Sequence, residues 1–283
     1  MNILYWIKII VVIIVIMIIM RSVHGTYLYK PGCDLNGNGY CLIENVISNS
    51  EKNKLIKDIN AGDTSNVKNE IVNNKNIKDI INKKLGSDYV FQDYVMIIKK
   101  SCIHTCHRDY NSQLFNKNQK HPSYTMLIFL EDMDRCLDVL PKSHKNLYTN
   151  AINITDQTRS VVCNPTDALI FDASLVHSGS FNDKPDNIRI QFKITHKDDL
   201  KELDYFQGYH KIIDKSNDIP DILKYTQKFN TCLFPILGDI AMDVETEKER
   251  KKTGVTIVSP SQKAFSKVFY GDENYYKLKN IDT

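Results

Sequence analysis

Residues 104–109 read His104-Thr105-Cys106-His107-Arg108-Asp109, and the triplet His107-Arg108-Asp109 decides how the rest is read. On an extended strand, residues i and i+2 share a face, so an imidazole and a carboxylate converge on one point. Two later positions extend the pattern. His177 lies in Leu-Val-His-Ser-Gly, and Arg189 lies in Asn-Ile-Arg-Ile-Gln. Two histidines and one carboxylate with open coordination positions form the facial triad suited to non-haem Fe(II). An arginine on a later strand can hold a carboxylate through a two-pronged contact. His-x-Asp alone is common by chance; its weight comes from segments around all four residues that read as strands, in order.

The chain has 283 residues, 42% hydrophobic and 25% charged, as expected of a largely globular protein. The net charge of +3 and the lack of a dense basic patch give no support to nucleic-acid binding. Residues 3–20 form an apolar run broken only by Lys8. As a helix this run is roughly 27 Å long, near the ~30 Å hydrocarbon core of a bilayer. Residues 1–25 are therefore expected to be a transmembrane anchor, giving a single-pass membrane protein. A signal peptide cleaved after Gly25, leaving a secreted or lumenal chain, is the alternative.

Seven cysteines cannot all pair within one chain. Cys33 and Cys41 flank a short Gly-rich loop and could bridge in an oxidising lumen. Cys102 and Cys106 read as small buried hydrophobes. Asn153-Ile154-Thr155 is a glycosylation sequon. Asp34 to Gly39 has the opening of a calcium loop, but the twelfth position is Asn45 where a glutamate is needed, so it reads as a turn.

Residues 26–38 read as a linker. An opening strand follows over 39–47, and then three helical stretches begin after Ser48 or Ser50, near residue 64 and at Asn76, with Gly86 as the stop. From Tyr89 the period becomes that of strands. These cover residues 90–98, 102–109, 124–130, 138–140, 161–163, 168–171 and 188–195. The expected fold is mainly β with flanking helices: a jelly-roll or cupin-like barrel preceded by the N-terminal segment. Residues 201–283 form a C-terminal extension expected to pack on the barrel, with a helix over 220–229. Glu245 to Lys252 reads as a solvated charge run, 255–258 as a further strand, and the end is tyrosine-rich.

With these motifs in order, residues 39–196 resemble the phytanoyl-CoA dioxygenase family of Fe(II)- and 2-oxoglutarate-dependent oxygenases. The opening strand Gly39 to Ile47 is similar to that of the family. So are His107-x-Asp109, the stretch Arg135-Cys-Leu-Asp-Val-Leu-Pro-Lys-Ser-His-Lys145, and Thr166-Asp to His177-Ser-Gly. Arg189 follows 12 residues after His177. The chain departs from the family pattern at Arg135, Lys142 and Thr166, where the family has glycines, and at Gln191, where it often has a small hydroxyl residue.

The resemblance implies a double-stranded β-helix over 39–200, with Fe(II) held by His107, Asp109 and His177 and the 5-carboxylate of 2-oxoglutarate held by Arg189. The activity it implies is dioxygenase hydroxylation of an unidentified substrate with O2, releasing succinate and CO2. A catalytically inactive jelly-roll binding or structural protein is the alternative, and a cupin-type metal-binding module is a third reading. His104 is expected to face away from the ligands, His144 to serve a turn, His121 to be solvated, and His196 to border the pocket; Thr125 lies on a strand beside it.

Overall fold

The computed structural model of the protein describes residues 3–24, 28–29, 32–101, 105–146, 158–180, 187–215, 219–239 and 259–270. The sequon, His104, Cys102, the charge run, residues 255–258 and the tyrosines after residue 270 lie outside them. Helix α1 covers Ile3–His24. Its described side chains, residues 5–16, are mostly exposed and apolar. Among the described residues no helix is long and apolar enough to cross a membrane.

Three helices precede the main strands, each started by a side chain accepting an orphan backbone N–H. Ser48 caps α2 (Asn49–Asn60) and forms a capping box with Glu51, Asp63 caps α3 (Thr64–Asn73), and Asn74 caps α4 (Lys75–Lys84). Gly86, with φ at +107°, follows α4 and supplies the left-handed residue that ends it. Leu55, Ile59, Val67, Ile71, Ile77 and Ile81 are buried at helical spacing against one sheet.

That sheet is the larger of two. Its strands, in chain order, are β2 (Cys33–Asp34), β3 (Tyr40–Ile43), β4 (Tyr89–Phe91), β5 (Tyr94–Ser101), β6 (Tyr124–Phe129), β9 (Ala168–Asp172), β11 (Arg189–His196) and β12 (Tyr209–Lys215). They are arranged β12-β5-β11-β6-β9-β3-β2, with β4 also on β11. The smaller sheet has the order β1-β8-β7-β10, from β1 (Leu28–Tyr29), β8 (Arg159–Val161), β7 (Leu137–Val139) and β10 (His177–Ser178). Between the sheets Leu127, Phe129, Leu169 and Phe171 meet Leu137, Val139 and Val161. The result is a jelly-roll-like sandwich with helices on the outer face of the large sheet, the class the strand pattern predicts. After β12 come α5 (Asp221–Leu233), α6 (Ile236–Asp239) and α7 (Pro260–Tyr270).

Three expectations need correction. The predicted strand over 102–109 is no strand in residues 105–109. Only His107 makes a bridge there, to His177, because neighbouring Cys106 and Arg108 are tied to the C-terminal segment instead. Cys106 is not a free buried thiol; it is bonded to Cys232. The strand set does not close at residue 195, since β12 adds in parallel to β5. The conditional Cys33–Cys41 bridge is present, joining β2 to β3. Asp34 binds Gly37 N–H (2.7 Å) and Asn38 Nδ2 (3.0 Å), which makes its loop a turn.

Candidate metal centre

His107 and His177 sit opposite each other and exchange both backbone hydrogen bonds, at 2.9 and 3.0 Å. The Asp109 N–H donates to Ala173 O at 2.9 Å, which fixes the third residue beside them. One potential ligand atom from each of His107, Asp109 and His177 lies within 4.8 Å of the others. The histidine rings are 4.5 Å apart between centroids, and His177 Nε2 is 3.6 Å from Asp109 Oδ1.

Each histidine is oriented by its own backbone neighbourhood. His107 Nδ1 lies 2.9 Å from Thr105 O, and His177 Nδ1 lies 2.9 Å from Leu175 O. A carbonyl can only accept, so both Nδ1 atoms carry the proton and both Nε2 atoms keep a lone pair, the arrangement of metal-bound histidines. Burial drives the His107 pKa down to about 4, helped by His177 and opposed by Asp109. Burial also lowers that of His177, against the pull of Asp109. Both rings are therefore neutral near pH 7, as ligation requires.

Asp109 is divided between two tasks. Its Oδ2 accepts from Thr125 Oγ1 (2.5 Å) and Lys193 Nζ (2.7 Å), and Lys193 also donates to Thr125 Oγ1 (2.9 Å). Oδ1 faces His177. Burial alone would raise the carboxyl pKa, but the Lys193 charge and the two histidines outweigh it and hold Asp109 ionised. Lys193 pays the matching cost: burial lowers its pKa, with Asp109 opposing.

Strand β11 supplies the rest. Arg189, Gln191, Lys193 and Thr195 alternate with Ile190, Phe192 and Ile194, and all seven are buried. The apolar set meets the helices, so the polar set faces into the sandwich. Arg189 pairs in register with Phe129 and Ile98, and Lys193 with Thr125. Arg189 shares a face with Lys193 but starts four residues away, about 13 Å along the strand. Its Nη1 donates to Asn187 Oδ1 at 3.2 Å. Three of the four expected site residues therefore converge, and Arg189 stands apart on the wall that leads to them. Gln191 lies between Arg189 and Lys193 on that wall.

Lys193 carries no motif and was missed in the sequence. Four polar residues alternating along a strand buried on both faces was the available signal. Thr125, read only as a neighbour, is a direct partner of Asp109.

The other described histidines fall outside the group. His144 lies in a turn over Ser143–Lys145, where Ser143 Oγ donates to Leu140 O and accepts the Val176 N–H, both at 2.8 Å. His210 pairs with Asp93 (2.8 Å). His121 and His196 stack at 3.7 Å beside Asp198, but His196 Nδ1 already accepts the Asp198 N–H (3.3 Å) and Asp198 is open to water. This second grouping is a half-buried ring pair beside an exposed carboxylate.

Two of the glycine positions in the resembled pattern keep glycine's backbone without glycine. Lys142 has φ at 70° and Thr166 has φ at 81°. Thr166 is the costlier, because a β-branched side chain crowds the left-handed region.

No family model matches the chain, and no curated protein matches its sequence. Solved structures with a similar fold include the non-haem α-ketoglutarate-dependent epimerase SnoN from nogalamycin biosynthesis, with 14% identity over 57% of this chain and 80% of that one, at a TM-score of 0.48. HygX from Streptomyces hygroscopicus, solved with nickel and 2-oxoglutarate, has 12% identity over 57% and 84%, at 0.46. AviO1 from Streptomyces viridochromogenes has 13% over 59% and 96%, at 0.45. Likeness at this level carries no argument about chemistry, which rests on the side chains above.

Proposed function

We propose that this chain is an Fe(II)- and 2-oxoglutarate-dependent oxygenase of the phytanoyl-CoA dioxygenase-like type, built on a double-stranded β-helix and hydroxylating a substrate still to be identified. The observation that carries the reading is the neutral, Nδ1-tethered histidine pair beside a carboxylate whose far oxygen is already occupied. Those donors fit a metal that takes two imidazoles and one carboxylate oxygen and keeps other positions open. His107, His177 and Asp109 would hold it, and when bound it supplies the redox chemistry by which O2 and 2-oxoglutarate are consumed.

The chain's own residues do the positioning. Lys193 and Thr125 keep Asp109 to one oxygen, so the carboxylate does not close a second position. Arg189, buried on the same wall, would pair with the remote carboxylate of the co-substrate. Leu127, Phe129 and Phe171 make the adjoining interior apolar and keep water from it. The left-handed Lys142 and Thr166 support the family assignment, since they preserve two turns where the family uses glycine. A membrane tether through residues 3–20 belongs to the same proposal and rests on their sequence. The two disulfides suit an oxidising compartment.

The test uses the full chain in detergent, loaded anaerobically with Fe(II) and 2-oxoglutarate. A weak visible charge-transfer band is expected from the chelate. It should vanish in His107→Ala and require more 2-oxoglutarate in Arg189→Ala. A folded, iron-replete chain with no band rejects the oxygenase reading and leaves the inactive jelly-roll alternative.

A further inference from the structure

Residues 228–239 lie beyond the stretch that carries the resemblance, yet they hold both sides of the metal motif. Thr231 Oγ1 of α5 accepts the Cys106 N–H at 2.8 Å, and the next residue, Cys232, is disulfide-bonded to Cys106. Across His107, the Arg108 guanidinium forms an ion pair with Asp239 of α6, whose other oxygen lies 3.4 Å from the Arg108 N–H. Arg108 is 1% exposed and also donates from Nε to Ser174 O at 3.1 Å. Gly238 packs directly on the Cys106 carbonyl oxygen, where any Cβ would collide. From α5, Lys228 pairs with Asp138 of β7, which is in register with Ser178, the neighbour of His177. Asp138 is held as well by Ser160 Oγ (2.5 Å) and Ser180 Oγ (2.7 Å).

We propose that α5 and α6 form a clamp that positions the metal-binding segment 105–109, with the Cys106–Cys232 bond as its covalent pin, so that metal affinity follows the state of that disulfide. The inference rests on the metal-centre reading above.

None of the clamp residues belongs to the ligand set; they act on the backbone that carries the ligands. Outside the clamp, side chains of residues 105–109 reach the barrel through the Asp109 contacts to Thr125 and Lys193 and the Arg108 bond to Ser174. The described backbone bonds from this segment into the barrel are the two of the His107–His177 bridge and the one from Asp109 to Ala173. Released from the clamp, the backbone around His107 loses part of its order, and metal binding must then restore it. Fixing the backbone of even one residue costs about tenfold in an equilibrium constant. Both sulfurs are buried, at 1% and 2% exposure of their residues, so reduction requires α5 to lift from the barrel. A phosphine reductant transfers two electrons to the S–S bond. Water supplies its oxygen to phosphorus and its two protons to the new thiols, giving a phosphine oxide, Cys106–SH and Cys232–SH. A dithiol does the same by becoming a disulfide.

The experiment titrates the full chain in detergent with Co(II), reading affinity and the visible ligand-field spectrum. The oxidised protein is compared with protein reduced by a phosphine and desalted, and with Cys232→Ser, Asp239→Asn and the Cys33→Ser/Cys41→Ser pair. Reduction and Cys232→Ser are each expected to weaken Co(II) binding about tenfold, without adding to each other. Asp239→Asn should weaken binding in the oxidised chain. Reoxidation should restore affinity, and the Cys33/Cys41 variant should keep the full response. The titrations are run well below the melting temperature of each variant, so a general loss of stability does not register. Equal Co(II) affinity before and after reduction, with Asp239→Asn unchanged, overturns the clamp. An oxidised wild-type chain that is folded and binds neither Co(II) nor Fe(II) rejects the metal centre itself.

Discussion

Strand β11 has two buried faces that follow different rules. Outward, Ile190, Phe192 and Ile194 pack against the helices in an apolar cluster. Inward, Arg189, Gln191, Lys193 and Thr195 are also buried but polar. The outer face gains free energy from every apolar atom removed from water. The inner face gives up such gains, because burying Asp109 and Lys193 costs desolvation that their attraction only partly returns. A fold seldom retains such a pair for stability, so the inner face points to chemistry.

The largest expected effects test that contrast directly. Phe192→Ala removes a fully buried ring and should cost about 3–5 kcal/mol in denaturant unfolding. Lys193→Met should cost about as much, because it strands the Asp109 carboxylate. The two faces part in the double variant. Asp109→Asn/Lys193→Met removes both charges and should regain most of the loss, as replacing a buried ion pair is often neutral. It should still fail to bind Fe(II) or Co(II). If it stays as unstable as Lys193→Met alone, the pair is structural and the contrast fails.

Metal addition is the next probe. A ligand bound only by the folded chain stabilises it by about 2.7 kcal/mol at a hundredfold excess over Kd. Co(II) should raise the unfolding free energy of wild type and of Phe192→Ala equally, and leave His107→Ala unmoved. A rise in His107→Ala would place the metal elsewhere, with the half-buried His121–His196 pair the first place to look.

Legibility in the sequence follows the same division. The outer-face helices were readable because Leu55, Ile59, Ile77 and Ile81 recur at helical spacing, with Ser48 offering a cap and Gly86 a stop; the Asp63 and Asn74 caps emerge only in the structure. His107, Asp109 and His177 were readable because the motif spacing is local or family-like. Lys193 was not, because its partners Thr125 and Asp109 are 68 and 84 residues away and only the sheet register joins them. The same holds for Cys106, whose partner Cys232 is 126 residues distant. One sequence contains no signal for a pairing across that separation. The strand expected over residues 102–109 failed for a related reason. Strand-like composition does not provide a neighbour, and beside Cys106 and Arg108 the neighbour is a helical segment.

Smaller effects sharpen the reading of the turns. Lys142 has φ and ψ of 70° and −4°, and no bond from its side chain caps the turn that follows. Lys142→Gly should stabilise the chain by about 0.5–1 kcal/mol, because the strain relieved exceeds the entropy glycine adds to the unfolded state. Thr166→Gly should gain less than its strain suggests, since it forfeits the Thr166–Asn45 side-chain bond of 3.1 Å. A loss of stability at Lys142 would show that side-chain contacts hold that turn, and would weaken the link to the glycine pattern.

An effect of similar size lies on the outer face, at the start of α2. Glu51 accepts from the Ser48 side chain and backbone, both at 2.7 Å, and those bonds hold its pKa below the usual value of 4.5 against a small opposing effect of burial. A carboxyl whose pKa is lowered by folding contributes stability that is complete above its unfolded pKa. That contribution is lost as pH falls through the lowered folded value. Glu51→Ala should cost about 1 kcal/mol at pH 7 and less at pH 3. Glu51→Gln keeps a reciprocal capping bond and should remove the pH dependence more than the stability. A Gln variant as weak as the Ala variant at pH 7 would mean that the charge at the helix N-terminus, rather than the bond to Ser48, provides the stability. Electrostatics would then matter on the outer face as well, and the division between the two faces would be less complete than β11 alone implies.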